Sequence, residues 1–315
     1  MTKYIIQRLI ALIITLFLIM TIAFLVVRLM PGSFYDNQDL PETVIQAINA
    51  KYHFDKPLIV QYFYFIGNIL HWDWGTSIAI QPNVPVFDLL KTRVPISLQI
   101  NLISLFISIP IGIAAGSLAA IKKNTLVDHF ISFMVVIFIS VPSFIFATAL
   151  QYFLAYKGGL FPIIYDAAAA MGTQKAMSMF LPVMALTFSP IARVTRYLRA
   201  ELAETMNSEF LLLARTKGLT YRQAIMRHGM RNSFLPLANI IIPMFTNILG
   251  GSLVIERIFS IPGMGGMMID SISVSDHSVT IAILMFYSFI SLVTMLIVDI
   301  SYGIIDPRIR VGGRK

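Results

Sequence analysis

The sequence predicts an all-α membrane protein, with six transmembrane helices and a helical loop on the cytoplasmic side. Three observations point there. Hydrophobic residues make up 57% of the 315 residues and charged residues only 13%, with a mean hydropathy of +0.77. Ordinary soluble domains are roughly 45–50% apolar and about 25% charged, so a soluble core of this size could not hide that much apolar surface. Apolar runs long enough to cross a bilayer recur along the chain. One basic, glycine-broken stretch, from Arg193 to Pro236, stands apart from them.

A helix needs about 20 mainly apolar residues to cross the hydrocarbon core. The first candidate span runs from Leu9 to Leu29. It is longer than the roughly 7–15-residue apolar region of a signal peptide, and no small-x-small cleavage site follows before Pro31, so it reads as an uncleaved helix. The second is Leu98 to Ile121 and the third Phe130 to Tyr156. The fourth, Phe180 to about Ala192, is interrupted by Pro182 and Pro190, which a bundle tolerates when neighbours satisfy the freed backbone groups. The fifth is Leu237 to Ile255 and the sixth Val279 to Ile304. The expected organisation is residues 1–30 as first helix and short cytoplasmic N-terminus, 31–95 as an extracellular or interfacial segment, and 96–315 as a five-helix core carrying the cytoplasmic loop 193–236.

Basic residues favour cytoplasmic loops. With the N-terminus inside, the inner segments hold 16 of the 24 Lys and Arg residues, among them Lys122, Lys123, Arg222, Arg308 and Arg314. Acidic residues such as Asp36, Asp73, Asp166 and Asp276 lean outward. Both termini are therefore expected in the cytoplasm. The same bias accounts for the formal charge of +8 without nucleic acid as a partner; the expected surroundings are membrane lipid. In the outer segment, Gln61 to Trp74 packs aromatic residues too densely for a loop and too briefly for a span. It suits the membrane–water interface or contact with an external partner. Gly112 and Gly116 form a GxxxG pattern in the second span, which permits close helix packing.

The chemistry that is missing narrows the function. The chain has no cysteine, which removes disulfides, thiol catalysis and thiolate metal sites. It has no GxxxxGK(S/T) phosphate loop, no HExxH and no GxSxG. Its five histidines lack a ligand spacing. No metal site and no cofactor on this chain are expected, and no catalytic residue. Intramembrane ionisable residues are few, which argues against an ion-coupled carrier; Asp299 reads as a structural partner for an Arg. Asn101, Ser104 and Ser108 in the second span, with Ser140 in the third, either face an aqueous substrate path or hydrogen-bond between helices.

The basic insert reads as two short helices with a hinge. Asn207 or Ser208 can cap the first, with Glu209 in its first turn. Phe210 to Ala214 is apolar, and Arg215 and Lys217 suit the C-terminal dipole. Gly218 stands where a helix ends in positive φ. Thr220 and Gln223 form a capping box for the second helix, which carries Arg227, His228 and Arg231. An apolar run such as Phe210 to Leu213 either packs on its own bundle or docks into a groove of another protein.

Ala214-Arg-Thr-Lys-Gly-Leu219, followed by Arg227-His228, Arg231-Asn232 and Leu235-Pro236, resembles the EAA-type loop of ABC importer permeases, in particular the oligopeptide/dipeptide branch. The wider pattern places Glu-Ala-Ala ahead of the glycine. Here Leu212, Leu213 and Ala214 stand there, so only the last alanine matches. Asp55-Lys-Pro57, Asp73-Trp-Gly-Thr-Ser77, Ile261-Pro-Gly-Met-Gly265 and Asp306-Pro-Arg-Ile-Arg310 are similar to segments of that branch's first permease subunit. The resemblance implies a type I importer permease that is not itself an enzyme. It implies a second homologous permease subunit, two ATP-binding subunits that carry ATP and Mg, an extracellular substrate-binding protein and a peptide substrate. Glu209, Phe210, Leu213, Ala214, Arg215, Lys217 and Gly218 would then form a coupling helix against an ATPase, and Arg227, His228 and Arg231 would hold the second helix to the bundle. A permease for nickel or a metal–chelator complex, or a self-contained secondary transporter, is the alternative.

Overall fold

The computed structural model describes residues 2–30, 41–246 and 253–305. The acidic residues Asp36 and Asp39, the soft point expected at Gly250 and Gly251, and the basic tail from Arg308 to Lys315 lie outside them.

In chain order the helices are α1 Thr2–Leu29, α2 Glu42–Lys51, α3 Leu58–Leu70, α4 Val86–Ile121, α5 Leu126–Ser140, α6 Ser143–Leu150, α7 Thr173–Thr205, α8 Glu209–Thr216, α9 Tyr221–Ala224, α10 Met230–Thr246, α11 Leu253–Ile258, α12 Met264–Ser273 and α13 His277–Ile305. Four of them, α1, α4, α7 and α13, are long and apolar enough to cross a bilayer. The third expected span is a bent pair instead. α5 and α6 meet at 100° across Val141 and Pro142. Val141 takes the extended conformation that a following proline imposes (φ −88°, ψ 123°), and a π-helical stretch, Gln151–Lys157, continues α6. The fifth expected span appears as α10 and α11, on either side of residues 247–252.

Two other expectations change. The second span begins twelve residues earlier than its apolar core, at Val86. The fourth helix does not stop near Ala192. It runs unbroken from Thr173 through Pro182 and Pro190 to Thr205, so the first part of the basic insert is the end of α7. The reason is a buried stripe: Val194, Thr195, Leu198 and Leu202 are all buried at helical spacing, while Arg193 and Arg196 stay exposed.

The chain forms two compact units. One comprises Ser97–Ile261 and Val293–Lys315. Its core joins Leu105 and Ala120 of α4, Val194, Leu198 and Leu202 of α7, Leu211 and Ala214 of α8, and Leu237 and Met244 of α10. The GxxxG pattern does close α4 onto α7. A Cβ on Gly112 would lie 2.7 Å from Val194 Cβ, and one on Gly116 would lie 2.8 Å from the Thr195 carbonyl oxygen. The Thr195 hydroxyl uses that proximity to donate to the Gly112 carbonyl at 3.2 Å.

The other unit comprises Thr2–Ile96 and Pro262–Leu292. Phe24 of α1 is its fully buried anchor, stacked on Phe65 and edge-on to Tyr62 of α3. The opposite face of α3, with Ile59 and Phe63, is exposed. Asp276, fully buried, organises the loop before α4. Its Oδ2 accepts from the Ser77 hydroxyl at 2.6 Å and from the N–H groups of Ile78, Ala79 and Ile80 at 3.0, 3.0 and 3.2 Å. A residue read as one of the outward acids is thus an internal clasp.

Replacing Gly116 with Val should separate α4 from α7, because the obstruction is backbone and cannot swing away. We expect a loss of about 1–3 kcal/mol, measured as a lower thermal unfolding temperature of the purified protein. Unchanged unfolding would contradict the close approach.

Candidate functional site

The basic stretch folds into a short rod, a sharp corner and a long return helix. After α7 ends at Thr205, residues Met206 to Ser208 turn the chain into α8. Ser208 occupies the N-cap position, but its hydroxyl donates back to the Thr205 carbonyl instead of accepting from the new helix.

The far end of α8 is built by its own backbone. The Leu219 N–H donates to the Ala214 carbonyl at 3.3 Å and the Gly218 N–H to the Arg215 carbonyl at 3.0 Å. That pair of bonds is a Schellman motif, and Gly218 supplies its left-handed residue with φ +93°. Open space surrounds the position a Cβ would take, so the backbone conformation alone demands glycine. The Thr220 box then starts the return helix: its Oγ1 accepts from the Gln223 N–H at 3.3 Å, and the Gln223 Oε1 accepts from the Thr220 N–H at 3.0 Å. The second helix is not short. α9 passes through a π-helical stretch, Ile225–Gly229, directly into α10.

α8 has two differently employed sides. Leu211 and Ala214 are 1% and 7% exposed and belong to the core of α7 and α10. Phe210, Leu212 and Leu213 are 43%, 61% and 55% exposed. The charged residues Glu209, Arg215 and Lys217 are exposed as well; Arg215 also lies 5.5 Å from the Tyr221 ring. An eight-residue helix is marginal alone in water, so its inner side must supply the stability and its outer side is left over. Covering the three apolar side chains would contribute on the order of 3–5 kcal/mol.

Arg227, His228 and Arg231 are exposed; the return helix is seated by Ala224, Ile225 and Gly229, with Leu202 3.4 Å from where a Gly229 Cβ would stand. Asn101, Ser104 and Ser108 are buried. Their side chains donate to helix carbonyls: Asn101 to Ser97 at 2.7 Å, Ser104 to Asn101 at 2.8 Å, and Ser108 to Ser104 at 2.5 Å and Thr187 at 3.3 Å. Ser140 is exposed at the break between α5 and α6, and Asp299 is half-buried on α13. No group of three potential metal ligands occurs among the described residues.

One ion pair next to this region escaped the sequence reading. Asp128, 1% exposed at the start of α5, accepts from Arg199 of α7 at two points, Nε to Oδ1 at 2.5 Å and Nη2 to Oδ2 at 2.8 Å. Its Oδ2 also accepts from the Asn124 N–H at 2.9 Å. A bidentate pair fixes both position and orientation. It ties the third span to the helix that carries α8. Seventy-one residues separate the partners, and no local pattern marks them.

Comparison with known proteins now places the fold. Residues 108–311 match the family described as binding-protein-dependent transport system inner membrane component, and residues 1–101 match its N-terminal family. The chain belongs to this family. It is a multi-pass membrane component, 39% identical over 311 residues to the dipeptide transport system permease protein DppB of Lactococcus lactis, covering 99% of this chain and 100% of that one. It is 34% identical over 312 residues to DppB of Bacillus subtilis, covering 99% of each, and 33% identical over 311 residues to the oligopeptide transport system permease protein OppB of Haemophilus influenzae, covering 98% and 100%. Among solved structures, an inward-facing MetNI methionine ABC transporter chain matches with a TM-score of 0.55 at 18% identity, over 70% of this chain and 97% of that one. That likeness establishes the type I importer permease fold of this membrane component.

Replacing Asp128 with Asn should leave the Arg199 cation without its carboxylate. We expect a destabilisation of about 1.5–3 kcal/mol, read as a lower unfolding temperature, with partial recovery in the exchanged pair Asp128→Arg, Arg199→Asp. An unchanged unfolding temperature in D128N would show that the pair does not hold α5 to α7.

Proposed function

We propose that this chain is one permease subunit of an ATP-driven peptide importer. It supplies half of the translocation path and pairs with a second homologous permease, two ATP-binding subunits that carry ATP and Mg, and an extracellular binding protein. The observation that carries the reading is α8, a rod seated on its own bundle along Leu211 and Ala214 that presents Phe210, Leu212 and Leu213 outward. The names of the relatives, dipeptide and oligopeptide permeases, favour peptides over nickel as cargo.

In this mechanism α8 is the coupling helix. An ATPase groove covers Phe210 and Leu213, and the exposed Glu209, Arg215 and Lys217 meet charges at its rim. Movement of the ATPase pair then displaces α8 together with α7 and α10, since Leu211 and Ala214 share their core. The Schellman corner at Gly218 keeps the rod stiff relative to the return helix. Both termini and the region from Arg193 to Pro236 face the cytoplasm, and residues 31–95 face outward or lie at the interface. Of Asn101, Ser104, Ser108 and Ser140, Ser140 is the one whose exposure suits a substrate path; the other three are buried and bond back to carbonyls of α4, Ser108 also reaching Thr187 of α7.

Three measurements test the proposal. Gly218→Ile forces a β-branched residue to positive φ and should leave ATP hydrolysis in the assembled transporter while peptide uptake falls at least tenfold; normal uptake would sink the corner's role. Phe210→Ser with Leu213→Ser should lose about 3 kcal/mol of contact and release the ATPase subunits during purification, whereas full retention would contradict docking. Single cysteines at Asn37 and Arg222, in a chain that has none, should react with impermeant reagents from opposite faces, and labelling from one face would reverse the orientation.

A further inference from the structure

In the unit that holds α1 and α3, a cavity of about 120 Å³ opens beside the end of α1, the start of α13 and the loop after α3. Four of its lining side chains bring a buried polar atom with no hydrogen-bond partner: Arg28 Nε, Gln61 Oε1, Trp74 Nε1 and His277 Nδ1. A buried polar atom without a partner is unfavourable. Four around one cavity indicate a missing occupant rather than four separate defects.

The chemistry of the occupant follows from the atoms. Arg28 Nε and Trp74 Nε1 only donate, and His277 Nδ1 donates in one tautomer. Arg28 lies over the Phe54 ring at 4.2 Å and the Phe24 ring at 5.6 Å, and among the described residues no carboxylate pairs with it. Water could accept these N–H groups but cannot neutralise the cation. Gln61 is the opposite case. Its Nε2 donates to the carbonyls of Lys56 at 2.8 Å and Phe54 at 3.4 Å, which fixes the amide so that Oε1 is the atom left without a donor. Lys51 and Asp73 also line the cavity, one charge of each sign, so the unpartnered atoms decide: an occupant with negatively charged acceptor oxygens on one side and a donor on the other matches them.

We propose that this cavity binds a small carboxylate with an N–H group on the adjacent carbon. The carboxylate meets Arg28, Trp74 and His277, and the N–H meets Gln61. Size agrees, since an apolar cavity of about 150 Å³ admits benzene and a glycyl unit is smaller. Two sources share this chemistry, a free amino acid and the C-terminal residue of a peptide. The proposal goes beyond the transport reading and does not require it, because equilibrium binding needs neither ATP nor translocation.

The test uses the protein purified with whatever subunits accompany it. Equilibrium dialysis with labelled glycine and labelled N-acetylglycine should show saturable binding of at least one within tens of millimolar. Glycine alone identifies a free amino acid as the source, N-acetylglycine alone a peptide end, and both a site that reads the shared group. Acetate should compete and methylammonium should not. Trp74→Phe keeps the ring and removes the N–H, and should weaken binding about tenfold; Arg28→Lys, which keeps the charge but loses Nε, should do the same. Both variants should elute with the same subunits as the parent. Absence of saturable binding by either probe, or binding that neither substitution alters, would overturn the proposal and leave water as the occupant. Inorganic phosphate competing as well as acetate would overturn the carboxylate assignment.

Discussion

Leu211 and Ala214 hold an eight-residue helix against the rest of the molecule, and much else follows from that contact. A helix of two turns has too few internal hydrogen bonds to outweigh the entropy of ordering it. α8 is therefore stable only while its inner side stays in the core that α7 and α10 share. The same core residues cannot be reached by a partner. Whatever binds α8 must use its outer side, where Phe210, Leu212 and Leu213 stand with the exposed Glu209, Arg215 and Lys217, and a force on α8 is passed to the helices under it. A two-sided rod of this kind suits the proposed coupling, because its outer side is open to contact while its inner side is packed on the bundle. This holds whatever the partner is.

α7 gains its importance from three separate attachments. Val194, Leu198 and Leu202 form the floor beneath α8. Gly112 and Gly116 bring α4 to the same stretch of α7 at backbone distance. Arg199 grips Asp128 at the start of α5. These contacts differ in kind: apolar burial, close backbone packing and a bidentate ion pair. A bidentate guanidinium–carboxylate geometry fixes both position and orientation. A displacement of α7 is therefore expected to reach α5 as a rigid movement, and α8 and α10 through the core they share with it.

Features set by nearby residues were legible in the sequence, and features set by distant ones were not. Long apolar runs marked α1, α4, α7 and α13, because crossing length is a one-dimensional requirement. The corner at Gly218 and the box at Thr220 and Gln223 were legible because each is closed within a few residues. The bend at Pro142 carried a visible signal in its Val-Pro pair, yet the apolar run across it read as one span. α7 was underestimated because its arginines look like a loop, although Val194, Leu198 and Leu202 keep a helical stripe between them. Asp128 with Arg199, and Asp276 with the loop from Ser77 to Ile80, were out of reach. The second pair is 199 residues apart, and a carboxylate in isolation looks the same whether it faces water or closes a loop. Which side of α8 is packed and which is open was not legible, because periodicity names an apolar residue without saying which apolar surface it meets.

Two of the buried carboxylates, Asp276 and Asp128, also show why charge is scarce here but not absent. Asp276 is surrounded by four donors from one loop, three of them backbone N–H groups that would otherwise be orphaned. It solves two desolvation problems at once, its own and that of the loop. Asp128 does likewise with Arg199 and the Asn124 N–H. In both, the charge is matched by donors fixed within one compact unit, so the energy of the arrangement does not change when that unit moves as a body. Half-buried Arg28 meets no carboxylate among the described residues, and its Nε has no hydrogen-bond partner there. A cation left that way beside a cavity is tolerable when something enters to meet it, and this is the physical distinction between a buried charge that holds a fold together and one that waits for a ligand.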